Sequence, residues 1–317
     1  MTKLKILVSA PIKHIETKRK ILNKNFKCKY INHNHHNKIN LLLKISDGWI
    51  CSPSPKKLIS IENYPNIKFI KFIATPSTGT THISNKLIKN TSIKVLSISM
   101  DKKIKTIKAS SEYTFSLALT LIKKINLARK YVNLGYWREK ETYLRSNELF
   151  NKTAGIIGYG RIGKNLNTYA KAFGMKTIIY DPKVKNNNSN KINNIKLIRD
   201  NCHIIFIFIN FTFNNLNFIK KKFFSKLKKR PFIINTSRGE VVNEADLLYA
   251  LKSKIISGAG LDVLKNEQNL DINNNKLVKY SKKNHNLLIT PHIAGLTFES
   301  EYKAMSITIE LINKFYK

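Results

Sequence analysis

Acidic side chains are scarce in this chain: 19 Asp and Glu stand against 57 Lys and Arg, and the formal net charge is +38. Such an excess raises nucleic acid or an anionic membrane surface as partners. A binding patch is focused, however, whereas these lysines are spread along the whole sequence together with abundant Asn and Ile, so neither partner is expected. The densest run, Lys220 to Arg230 (KKKFFSKLKKR), reads as a short helix that buries Phe223, Phe224 and Leu227 and leaves its lysines in water. Cysteine is scarce too. Cys28, Cys51 and Cys202 lie far apart with no CxxC pair, which argues against a disulfide framework and a zinc site. His33, His35 and His36 cluster in INHNHHNKIN with no flanking acid or cysteine, so the segment reads as a solvated loop and no metal is expected. Long apolar runs are missing: the longest, IIFIFINF near residue 207, has the length of a strand, far short of the roughly 20 residues that span a bilayer. The start, MTKLKILVSAP, reads as a first strand without the features of a signal peptide, and a cytoplasmic protein is the expectation.

What is present is an α/β pattern. With 317 residues and 42% hydrophobic side chains, the chain can build two domains with their own cores. The first hundred residues alternate basic helical segments with the short apolar strands KILVSA, GWICSP, IKFIKFIAT and IKVLSI. From Ser110 the stretch SSEYTFSLALTLIKKINLARKYV repeats apolar residues every three to four positions, which predicts one long amphipathic helix crossing from one domain to the other. Further on, HIIFIFIN, PFIINTS, ISGAGLDV and NLLITP alternate with helical segments, the signature of a parallel doubly wound sheet. Asn243 stands as N-cap before EADLLYALKS. The end, from Thr297, predicts one amphipathic helix that returns to cover the first domain.

The richest stretch is TAGIIGYGRIGKNLNTYAKAFGMKTIIYDP, residues 153–182, which lays out strand, glycine turn, helix, strand and acid in order. Gly158 turns the chain out of the strand, Gly160 lets the backbone approach a pyrophosphate, and Gly163 lets the helix pack on the sheet. The helix N-terminus then faces the phosphate charge. Asp181 closes the second strand near the offset of about 20 residues at which a carboxylate accepts the ribose hydroxyls, which favours NAD over NADP, with Lys183 nearby. Three further polar groups follow strands, where ligands of open α/β sheets bind: Arg238 in NTSRGEVVNEADLL, Glu267 after GLDVLKNE, and His292 in TPHIAG. They offer a cation for a carboxylate, an acid partner, and an imidazole that exchanges protons near neutral pH. That is the set required beside a hydride donor when a ketone is reduced.

From about Ile73 to Gly295 the chain resembles the D-isomer-specific 2-hydroxyacid dehydrogenases, through ATPSTGTTHIS, SSEYTFSLAL, the glycine fingerprint with AKAFGM, INTSRGEVVNEADLLYAL, SGAGLDV and ITPHIAG. The resemblance implies an α/β fold of two Rossmann-like lobes, each a parallel sheet flanked by helices, with a cleft between them. Residues 1–98 and 296–317 are then expected to form the substrate (catalytic) domain and residues 99–295 the NAD-binding domain. It implies NAD-dependent interconversion of a 2-keto acid and a D-2-hydroxy acid, with Arg238 on the carboxylate and keto oxygen, His292 as general acid/base and Glu267 holding its imidazole. The amides around Thr78 and Gly79 would cradle the carboxylate, and Ser97 would give a polar substrate contact. Gly158, Tyr159, Gly160, Arg161, Ile162, Gly163, Asp181, Thr236, Asp262 and Gly295 would line the NAD site, with Asp262 near the nicotinamide amide, and the family implies a homodimer built through the cofactor domain.

The chain departs from that pattern in three places. Gln268 follows Glu267 where the family commonly has proline, Asn210 in NFTFNN stands where a proline-containing segment is usual, and CSPSPKK lacks the arginines of phosphoglycerate-specific members. The alternative reading is a non-catalytic NAD-sensing scaffold of the co-repressor type, which shares the fold. Turnover with NADH separates the two.

Overall fold

The computed structural model describes residues 3–184 and 194–316. The chain divides into two compact units, Met1–Ile107 with Thr297–Lys317, and Lys108–Leu296. In the first, β1 (Lys5–Val8), β2 (Lys27–Tyr30), β3 (Gly48–Ile50), β4 (Phe72–Thr75) and β5 (Lys94–Ser97) form one sheet in the order β2-β1-β3-β4-β5, parallel throughout. The β-branched and aromatic runs make the inner strands, and all four residues of β4 are buried, as expected of a parallel sheet covered on both faces. Strand β2 escaped the sequence reading, which placed KCKY in a Lys/Asn-rich basic stretch. It lies at the sheet edge with Lys27 and Lys29 exposed, and outward lysines that blunt an edge also erase its apolar signal.

The terminal helix Phe298–Tyr316 covers one face of this sheet, with Met305, Ile309 and Ile312 against Ile6, Phe72 and Leu96. Tyr316 stacks on Phe72 at 4.6 Å between ring centres. Residues 99–107 stay with this unit, because Ile104 and Ile107 pack against Ala304, Ile307 and Leu311 of that helix. The boundary therefore falls after Ile107 and not after residue 98, and the return falls after Leu296.

The second unit holds β6 (Thr153–Ile157), β7 (Lys176–Tyr180), β8 (Ile204–Ile207), β9 (Phe232–Asn235), β10 (Gly258–Leu261) and β11 (Leu287–Ile289), again all parallel, in the order β11-β10-β9-β8-β6-β7. The chain winds from β6 out to β7, then returns to place β8 on the other side of β6. The ends of β6 and β8 thus form a topological switch point, where such sheets take their ligands. Two apolar clusters sandwich the sheet.

The helix expected to run on from Ser110 is two helices, Ala109–Ile122 and Ile125–Asn133. Lys124 separates them in a left-handed conformation, φ 56°, which no α-helix continues through. Both belong to the second unit, so no helix crosses between units here: Phe115, Leu117, Ala118, Leu121 and Ile122 are committed to one face of the six-stranded sheet. Phe223 and Phe224 are buried in a single helical turn, Lys221–Phe224, with Leu227 half-buried against the same core. Asn243 caps Glu244–Lys252 by accepting from Asp246 N at 3.0 Å. Among the described residues no helix is long and apolar enough to cross a membrane.

Candidate active site

All the singled-out groups of the second unit lie at the carboxyl ends of its strands. Gly158 follows β6 at φ +97°, and a Cβ built on it would stand 2.8 Å from the Phe208 carbonyl carbon and oxygen. Both the angle and the crowding demand glycine. At Gly163 a Cβ would meet the Gly158 carbonyl oxygen at 2.2 Å, so the helix Arg161–Ala172 starts hard against the turn. Gly160 is the opposite case: nothing lies within 4 Å of its Cβ position, and the residue is exposed. The open side of the turn sits at the N-terminus of a 12-residue helix, with room and field for a pyrophosphate. Arg161 and Ile162 flank it half-buried, and burial draws the Arg161 guanidinium below its usual value.

Asp181 stands directly after β7. One carboxylate oxygen accepts the Tyr159 amide at 2.8 Å and the other accepts Lys183 N at 2.9 Å. Asp181 therefore ties the glycine turn to the end of the neighbouring strand, and its remaining lone pairs are acceptors suited to ribose hydroxyls. The Tyr159 hydroxyl accepts from Asn167 Nδ2 at 3.2 Å.

His292 and Glu267 meet, Nδ1 to Oε2, at 2.6 Å. They come from the segments after β11 and β10, adjacent strands, so the sheet brings together residues 25 apart in sequence. The second Glu267 oxygen accepts Leu264 N at 3.2 Å, leaving the carboxylate one oxygen for its own loop and one for the imidazole. With the proton on Nδ1 donated to Glu267, Nε2 is left to take or give a proton. His292 itself is left-handed, φ 54°, and its N–H donates to the Asp262 carbonyl at 2.8 Å.

Asp262 builds that turn. Its side chain is fully buried, with Oδ1 accepting Thr290 Oγ1 at 2.7 Å and Ile293 N at 2.9 Å, and Oδ2 accepting Ala294 N at 2.8 Å. Nearby, burial pushes the Tyr113 phenol up, and the Asp262 charge adds to that shift. Neither Thr290 nor Tyr113 was singled out from the sequence, although Thr290 opens TPHIAG and Tyr113 lies within SSEYTFSLAL.

Arg238 follows β9, half-buried, with Nη1 donating to the Ser237 carbonyl at 2.7 Å. Buried Asn235 shapes this turn by donating to the Arg238 carbonyl at 2.9 Å and accepting from Ser237 N and Oγ at 3.0 and 2.7 Å. Thr236 is buried, and its hydroxyl meets that of Thr114 at 2.6 Å, a partner the sequence did not suggest. Gly295 lies beside Ser110, whose hydroxyl would stand 3.7 Å from an added Cβ.

In the first unit, Thr78 and Gly79 sit in the loop after β4, and Ser97 ends β5 beneath it. The buried Ser97 hydroxyl lies 2.8 Å from the Ser77 carbonyl oxygen and 3.2 Å from that of Thr78. Ser77 in turn donates to the Gly79 carbonyl at 2.7 Å, and Thr75 connects Ser77 to buried His82 through contacts of 2.9 and 3.1 Å. Ser97 thus holds the Thr78–Gly79 loop in place. Among the described residues no group of three or more His, Cys, Asp or Glu could hold a metal ion.

The family profile described as "D-isomer specific 2-hydroxyacid dehydrogenase, NAD binding domain" matches residues 115–294. The chain belongs to the D-isomer specific 2-hydroxyacid dehydrogenase family. The matched span falls within the second unit, which is accordingly the NAD-binding domain and takes NAD as its cofactor. Among relatives, hydroxypyruvate reductase from Thermotoga maritima is 31% identical over 255 residues, 79% of this chain and 78% of that protein. D-3-phosphoglycerate dehydrogenase from Bacillus subtilis is 32% identical over 214 residues, 66% of this chain, but that match spans only 39% of the longer relative. Among solved structures, D-lactate dehydrogenase from Aquifex aeolicus in complex with NAD and lactic acid superposes with a TM-score of 0.81 at 26% identity, over 98% of this chain and 95% of that one.

Proposed function

We propose that this family member is an NAD-dependent oxidoreductase that interconverts a small 2-keto acid and a D-2-hydroxy acid. The observation that carries the reading is the 2.6 Å contact of His292 with Glu267, on the same sheet edge as the glycine turn. Bound dinucleotide supplies or takes the hydride. His292 gives a proton from Nε2 to the substrate oxygen during reduction and takes it back during oxidation, while Glu267 fixes the tautomer and balances the imidazolium charge. Arg238 binds the substrate carboxylate through its guanidinium fork. Within the first unit, the amides around Thr78 and Gly79 are assigned to substrate binding, with Ser97 holding their loop. Gly158 to Gly163 hold the pyrophosphate and Asp181 the ribose, with Thr236, Asp262 and Gly295 toward the nicotinamide end.

The test is a panel of glyoxylate, hydroxypyruvate, pyruvate, longer and phosphorylated 2-keto acids with NADH, followed by absorbance loss. One or more should be reduced, and His292→Ala should lower kcat by about 10²–10⁴ with NADH binding unchanged. Unchanged turnover in that variant removes the acid–base assignment. A flat response to the whole panel favours the non-catalytic NAD-sensing scaffold.

A further inference from the structure

The loop that presents Glu267 is fastened by carboxylates that lie outside it. Lys265 N donates to Glu244 Oε1 at 2.7 Å, and Asn266 N donates to Glu240 Oε1 at 3.2 Å. With Leu264 N on Glu267 Oε1, three consecutive amides each meet a different glutamate. In a chain with only 19 acids this convergence is a considerable commitment of its negative charge. Asn266 is left-handed, φ 58°, where the chain turns from these amides into the helical turn Glu267–Asn269. Beneath them Gly239 is pressed against the loop, where a Cβ would stand 2.0 Å from the Leu264 carbonyl carbon and 2.2 Å from its oxygen. The loop has no proline to restrict it, since its residues 264–269 read LKNEQN. Charge-assisted hydrogen bonds to its backbone add to the packing of buried Leu264 in the core.

We propose that Glu240 and Glu244 are positioning residues that clamp the 264–267 backbone, so that Glu267 Oε2 stays on His292 Nδ1. The clamp also joins this loop to the segment that carries Arg238, so the cation and the acid–base pair share one support. This inference rests on the reading of His292 and Glu267 as the acid–base pair.

The experiment uses the full chain with NADH and the best 2-keto acid from the panel. Glu240→Ala and Glu244→Ala together should lower kcat about tenfold to hundredfold, as expected when a reacting group is misplaced by about 1 Å, with the KM for NADH unchanged. Glu240→Gln and Glu244→Gln keep an acceptor oxygen and should restore most of the rate. In a Glu267→Gln background the same alanine pair should cost nothing further, because the clamp has no charge left to position. Amide hydrogen exchange at Lys265 and Asn266 should accelerate at least tenfold in the alanine variants, whatever the activity. Unchanged exchange, or a rate loss that adds fully to that of Glu267→Gln, overturns the clamp. If exchange accelerates but Glu267→Gln itself leaves kcat untouched, the clamp stands and the acid–base reading falls.

Discussion

At the scale of single residues, the site is organised by carboxylates that accept backbone amides. Asp262 accepts three protein donors while fully buried, so it acts first on the turn that presents His292. In Asp262→Asn the new amide group would point donor to donor at Ala294 N, or at Thr290 and Ile293 if flipped. Leaving such a buried donor unsatisfied should cost about 1–3 kcal/mol of stability in urea unfolding, together with a drop in kcat. Asp181 likewise holds a turn, and its proposed ribose role can be tested apart from that. Asp181→Arg should move preference from NAD toward NADP, because the carboxylate repels a 2′-phosphate and the guanidinium binds it. It should also weaken binding of both cofactors, since the Tyr159 amide loses its acceptor. The ratio of KM values for the two cofactors tests the first effect, and equal indifference to both contradicts the ribose role.

At the scale of elements, the break at Lys124 shows how one residue redirects a helix pattern. The apolar spacing runs through it without interruption, yet the backbone turns left-handed there and starts a second helix. Lys124→Gly should stabilise the protein by about 0.5–1 kcal/mol, since glycine adopts that conformation without the Cβ penalty. An unchanged unfolding midpoint would mean that the Lys124 contact with the Tyr143 carbonyl offsets the gain. Strand β3 is constrained the opposite way. A Cβ on Gly48 would stand 2.2 Å from the Phe72 ring of β4, so Gly48→Ala should destabilise by about 1–3 kcal/mol through overpacking.

At the scale of the whole molecule, a net charge of +38 means that every compact state works against self-repulsion. Raising ionic strength from about 0.01 to about 0.1 M shortens the screening length from about 30 to about 10 Å. The thermal midpoint should rise by a few degrees over that range, and a flat response would show the field to be energetically silent. Alkali acts differently. Burial pushes the thiols of Cys51 and Cys202 up to about 12, whereas in the unfolded chain a thiol titrates near 8.5. The folded state keeps these protons and the unfolded state loses them, so their contribution is complete below about pH 8.5 and declines as pH rises toward 12. Between pH 9 and 10, below the bulk of the lysine titration at about 10.4, stability should fall by about 1 kcal/mol per pH unit per thiol. Cys202→Ala should flatten that slope by the share of one thiol.

The sequence by itself determined the family, the NAD cofactor and most of the elements. Glycines at 158, 160 and 163, an acid at 181, and Arg238, Glu267 and His292 after apolar runs are local signals, because strand, turn and helix start are set by neighbours a few residues apart. It also determined the parallel α/β class, since alternating short β-branched runs and helices leave few other ways to bury both faces of a sheet. The tertiary structure alone decided which of these residues meet. Strand order puts β10 beside β11 and so closes Glu267 onto His292, and no spacing along the chain encodes that neighbour. The same holds for the edge strand β2, for the helix break at Lys124, and for Glu240 and Glu244, which nothing local marks as partners of the 264–267 loop. Contacts between segments far apart depend on how sheets and helices share space, and that is settled only when the whole core is packed.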